Sequence, residues 1–126
     1  MTLKATAFDP ALDYKVILQD DCTNTANVNV ASGSCRLLNF EVDNSGGAAA
    51  CYLKFYDGQN ATAGTSIPDM TFKCLSGDVL KVSLPHGKHF GLLNFWATQN
   101  ASPTDNTAPS MSGSNKLSVT LVVEPE

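Results

Sequence analysis

Residues 35–57, "CRLLNFEVDNSGGAAACYLKFYD", decide the fold. Apolar and polar side chains alternate at both ends of this stretch. In Cys35–Asp43, Leu38, Phe40 and Val42 share one side, and Asn39, Glu41 and Asp43 the other. In Cys51–Asp57, Cys51, Leu53 and Phe55 share one side, with Tyr52, Lys54 and Tyr56 opposite. A period of two is that of a β-strand with one buried face, because successive side chains leave the backbone on opposite sides. Between the runs, "DNSGGAA" supplies Gly46 and Gly47, which reach backbone angles closed to other residues, so the two runs read as a hairpin with a loop.

The same alternation recurs further along the chain. Leu80, Val82 and Leu84 form one side of 79–84, and Leu117, Val119, Leu121 and Val123 one side of 116–124. Weaker strands are expected at 14–18, 26–30, 70–75 and 92–98. "LSGD" at 75–78 reads as a tight turn. "LPHGKHFG" at 84–91 reads as a break, since Pro85 has no N–H for a ladder. "QDD" at 19–21 reads as a solvated turn. No window carries a helical stripe, and at most one helical turn fits, near 9–13. About eight short strands at regular spacing predict an all-β fold: one single-domain antiparallel β-sandwich over 1–126, jelly-roll-like. Phe40, Leu53, Phe55, Val82 and Leu121 are its expected core. Segments 58–69 and 99–115 resist strand assignment, and structureless loops of that length usually carry function or cover something.

Composition removes some classes of function. The chain has 126 residues and a net charge of −4. Its eight Lys and Arg are scattered singly, whereas a nucleic-acid groove needs clustered cations to displace counterions. No apolar run of about 18 residues would span a membrane. Met1 to Pro10 lacks a basic head followed by an apolar stretch, so no secretory signal is read there. With the initial Met, this predicts a whole gene product made in the cytoplasm, with reduced thiols. Cys22, Cys35, Cys51 and Cys74 contain no C-x-x-C, which gives a structural zinc site little support. Three disulfide pairings are open. The plainer reading is four free thiols, with Cys35, Cys51 and Cys74 packing as small hydrophobes.

No catalytic constellation emerges. His86 and His89 lie three apart on one turn without a third ligand at useful spacing. G-x-S-x-G and a glycine-rich phosphate loop are absent, and the twelve carboxylates form no convincing pair. The expectation is a non-enzyme with no cofactor and no metal. Asn60-Ala-Thr and Asn100-Ala-Ser fit the glycosylation acceptor pattern, but such tripeptides arise by chance in loops rich in Asn and Thr. The outward aromatics say more, because Tyr and Trp are enriched at protein contacts. The candidate protein interface is Tyr52, Lys54, Tyr56 and Trp96, extended by the loop residues Asn60, Thr65, Asp69, Thr104 and Asp105. For a carbohydrate-binding module, Trp96 with Asp57, Asp69 and Asp105 is the available material. A cupin-type enzyme would need more histidines than the two present.

Three stretches carry a resemblance: "LLNFEVDNSGGAAACYLKFYDG", "AGTSIPDMTFKC" and "LPHGKHFGLLNFWAT". Together they resemble small β-rich virion proteins of tailed bacteriophages, cyanophages included. The matching features are Glu41–Asn44, Tyr52–Asp57, Gly64–Asp69 and Pro85–Phe90, over about half the chain, and they are structural rather than catalytic. The resemblance implies a jelly-roll-like head decoration (cement) protein on the capsid surface of the virion. It implies a homotrimer whose partners are itself and the major capsid protein or other virion subunits. Proteins of this look also serve in tails, necks or fibres.

Overall fold

A five-stranded and a three-stranded antiparallel sheet pack face to face in the computed structural model, which describes residues 3–7 and 14–126. The strands are β1 (Leu3–Ala7), β2 (Lys15–Gln19), β3 (Cys35–Asp43), β4 (Cys51–Asp57), β5 (Met70–Cys74), β6 (Val79–Phe90), β7 (Leu93–Thr98) and β8 (Ser118–Pro125). The large sheet has the order β1-β2-β8-β3-β6 and the small one β5-β4-β7. The expected β-sandwich is therefore what the chain forms. The helical turn expected near 9–13 lies outside the described residues.

The pairings are nested. β2 pairs with β8, Asn27 bridges to Phe95 on β7, β3 pairs with β6, and β4 pairs with β5. The chain is thus one long hairpin, with its tip at the β4–β5 loop, rolled up so that successive rungs fall in alternate sheets. This is the wiring of a jelly roll. The strand expected at 26–30 is reduced to that single bridge at Asn27. β1 was not foreseen: five residues, "LKATA", extend the large sheet beyond β2.

The two sheets bury the alternating residues of both. Ile17, Val42, Val119, Leu121 and Val123 face Leu53, Phe55, Leu93, Phe95 and Ala97 across the interior. Phe55 sits amid rings, with centroids 5.1 Å from Phe40, 6.2 Å from Phe90 and 6.3 Å from Phe95. Of the expected core, Phe40, Leu53, Phe55 and Leu121 are buried, and Val82 packs against the cluster partly exposed, because β6 is an edge strand.

Two readings of the opening stretch need correction. Leu38 does not face the core with Phe40; Leu37 does, fully buried. Leu37 lies opposite Val123 and Asn39 opposite Val122, so Leu38 is an extra residue in the ladder. Such a bulge reverses the inward phase of the strand. On the other side, residues 84–87 of β6 loop out between Ser83 and Lys88, with His86 (φ 66°) and Gly87 (φ 71°) in left-handed conformations. The break expected at Pro85 is therefore an excursion within one strand.

The second correction concerns β3 and β4, which are not a hairpin. They lie in different sheets. Asn44 fixes the crossing. Its N–H donates to Asp78 O at 2.9 Å, its amide donates to Ala49 O at 3.0 Å, and its C=O accepts from Gly47 and Gly77. A Cβ on Gly47 would stand 2.0 Å from Asn44 Oδ1, so this close approach requires glycine. The tight turn at 75–78 is present, closed by Asp78 N–H to Leu75 O at 3.2 Å with Gly77 at φ 82°.

Candidate functional site

The outer face of the small sheet carries the residues that the sequence marks as outward. Lys54 lies opposite Trp96 across the β4–β7 ladder, Tyr56 opposite Asn94, and Tyr52 opposite Thr98. Their side is as expected, but their exposure is not. Lys54, Trp96 and Thr98 are fully buried, while Tyr52 and Tyr56 are half-buried. All six residues of β7 are buried; on the outward side Asn94 is taken up by Tyr56 O, Gly58 O and Asn29 N–H, and a covering segment reaches the Lys54 and Thr98 side chains. Lys54 and Trp96 are therefore corrected out of the exposed interface. Trp96 also offers no open ring face on which a sugar could stack.

The cover is the start of the long β7–β8 connection. The Lys54 ammonium donates to Ser102 O at 2.6 Å. Burial pulls the Lys54 pKa below that of an ordinary lysine, while the charge of Asp105 pulls it back up. The strap holds its own shape. Gln99 N–H donates to Thr107 O at 2.9 Å, and Asp105 N–H to Ser102 O at 3.0 Å. The Asp105 carboxylate accepts from Asn100 N–H and Nδ2 and from Thr107 N–H and Oγ1. Desolvation raises the Asp105 pKa, and these hydrogen bonds outweigh it, holding the carboxyl below the usual range. Asp105 is thus a half-buried hub of the strap, and Thr104 beside it is exposed. Among the described residues, the indole N–H of Trp96 has no hydrogen-bond partner.

The β4–β5 loop is built the same way. Ser66 N–H donates to Thr62 O at 2.8 Å, and Thr62 N–H to Ser66 Oγ at 3.0 Å. Asp69 Oδ2 accepts from Asp57 N–H at 2.7 Å, clamping the loop base. Asn60, Thr65 and Asp69 are exposed, as the sequence reading requires of contact residues. Ile67 stands beside them with 56% of its surface exposed.

Asn24, in the β2–β3 connection, ties that segment to the strap, its amide donating to Asn106 O at 2.9 Å and Oδ1 at 3.1 Å. Gly64 backs directly onto Asn106, where an added Cβ would come within 3.0 Å. An open cleft of about 320 Å³ remains between them, walled by Asn24, Thr62 and Asn106 over an alanine floor. Asn24, Asn106 and Ile67 were not marked by the sequence, which has no signal linking residues 82 positions apart.

The histidines do not converge. His86 sits on the left-handed excursion, and His89 Nδ1 meets Glu126 Oε1 at 2.5 Å, with Arg36 3.9 Å from the other carboxylate oxygen. Among the described residues, no group of three or more His, Cys, Asp or Glu is disposed to hold a metal. Among them also, no helix is long and apolar enough to cross a membrane. Gln19, read as part of a turn, is the buried last residue of β2, its amide donating to Asn27 Oδ1 at 2.7 Å.

No protein-family model matches the chain, and neither a curated protein nor a solved structure is significantly similar to it.

Proposed function

We propose that this chain is a non-catalytic virion structural protein that binds an assembled capsid through its joined loops. One observation carries the reading: the strap and the β4–β5 loop are each hydrogen-bonded into a fixed shape and present exposed small polar side chains, Asn60, Thr65 and Thr104 among them, with Ile67 exposed on the β4–β5 loop. Loops already held in one shape lose little conformational freedom on binding. The resemblance of 37–98 to virion proteins of tailed phages points the same way. Polar contacts of this kind contribute only about 0.5–1.5 kcal/mol each. Tight binding therefore requires several protomers acting together, and a trimer seated at a three-fold junction supplies that avidity. A protein that binds the shell and not the loose subunits stabilises the shell by mass action.

The test is location. Purified particles of the encoding virus, separated into heads and tails, are assayed for the chain by mass spectrometry. Presence in heads supports decoration. Presence in tails alone moves the role to tail, neck or fibre, and absence from particles removes the virion role.

A further inference from the structure

Cys51 and Cys74 stand directly opposite each other across the β4–β5 ladder. Opposed residues of an antiparallel pair have Cα atoms about 4.5–5.5 Å apart, inside the roughly 4.4–6.8 Å that a disulfide spans. The other two thiols lack such a partner. Cys35 faces Phe90 and Pro125 in its ladders, and Cys22 lies outside the strands with its thiol turned to Thr23 O at 3.9 Å. Cys74 also has a way out. It forms part of the wall of a surface groove of about 160 Å³ along the β5–β6 turn, with Lys73, Leu75 and Leu80. β5 is a five-residue edge strand held on one side only, and elements with few contacts open locally at low cost.

We propose that Cys51 and Cys74 are a redox pair, closed to a disulfide by exchange with a low-molecular-weight disulfide such as oxidised glutathione. When β5 opens, the Cys74 thiolate attacks one sulfur of the small disulfide. A bond from Cys74 to that half forms, the small S–S bond breaks, and the other half leaves as a thiolate that takes up the proton Cys74 gave away. Cys51 then attacks the Cys74 sulfur and releases the second small thiol by the same exchange. Two protein thiols are oxidised and one small disulfide is reduced to two thiols. The new bond ties the edge strand to its neighbour, beside exposed Leu75 and Val79. The exchange is slow near neutral pH. Burial, and then the neighbouring Cys74, push the Cys51 thiol up to about 12, and burial raises Cys74 as well. Cys22, which feels the charge of Cys51, is the rival partner.

This inference is independent of the virion reading, and mapping tests it. The folded protein is incubated with excess oxidised glutathione, its remaining thiols are alkylated, and the digest is mapped by mass spectrometry. The expected result is a Cys51–Cys74 bridge with Cys22 and Cys35 alkylated. In Cys51→Ala, which lacks the resolving thiol, glutathione should persist on Cys74 at least about tenfold above wild type. A bridge to Cys22, no bridge at all, or equal glutathione on Cys74 in both proteins would overturn the pairing. The wild-type map decides alone should the variant fail to fold.

Discussion

Phe55 touches the rings of Phe40, Phe72, Phe90 and Phe95, which makes it the aromatic centre of the molecule. Phe55→Ala should cost about 3–5 kcal/mol, a large part of the stability of a domain this size. Denaturant melts measure that loss. The inward side of Phe55 was legible because an isolated strand shows it in its alternation. Lys54 marks the limit of that legibility: its side was readable, but its burial depends on Ser102, 48 residues away. The buried thiols give a second prediction. Cys35 and Cys51 are pushed by burial from 9.0 to about 11 and about 12. Their contribution is present in full below pH 9.0, where both folded and unfolded chains hold the proton. It is lost as pH rises through the folded values, because the unfolded chain ionises first. Lys54 acts in the opposite sense, since its lowered pKa leaves the folded chain with fewer protons below the ordinary lysine value. The thiols outnumber it, so the melting temperature should fall as pH rises from about 9 to about 11, and Cys51→Val should flatten the fall.

Among the elements, the strongly alternating runs were readable and their partners were not. β3 and β4 looked like a hairpin because a short glycine-bearing link usually joins neighbours; here Asn44 turns that link into a crossing between sheets. Leu38 misled for a similar reason, because a bulge changes phase without leaving a mark in composition. The strap is the element on which the candidate site turns. Lys54→Met should keep the fold, since an apolar chain of similar length suits a buried position. It should loosen 99–107 and lower hydrogen-exchange protection of Gln99 and Asp105 by about tenfold, as the loss of one charge-assisted bond implies. Unchanged protection would mean that the strap docks without Lys54. Removing 100–106 should uncover Trp96 and move its fluorescence to longer wavelength. Such a deletion therefore disturbs the sheet face as well as any contact, and single exposed substitutions are the cleaner probe of binding.

At the scale of the whole molecule, a rolled long hairpin brings its tip, the β4–β5 loop, beside the strap and Asn24, so segments distant in sequence become one surface. Strand count and spacing made the sandwich readable, whereas this joining of loops follows only from the nested pairings. The same nesting makes most pairings non-local, and refolding should be slow, in the millisecond-to-second range typical of β-sandwiches, as stopped-flow fluorescence of Trp96 would show. Under the proposed virion role, co-sedimentation of the purified chain with emptied capsids of a tailed phage whose genome carries it, wild type beside Ile67→Asp and Thr104→Lys, is the most direct test. The account predicts saturable binding by the wild type, a loss of about tenfold or more in affinity for both variants, and unchanged melting, because both side chains are exposed. Wild-type protein that stays in the supernatant, or variants that decorate the capsids as fully as wild type, would contradict it.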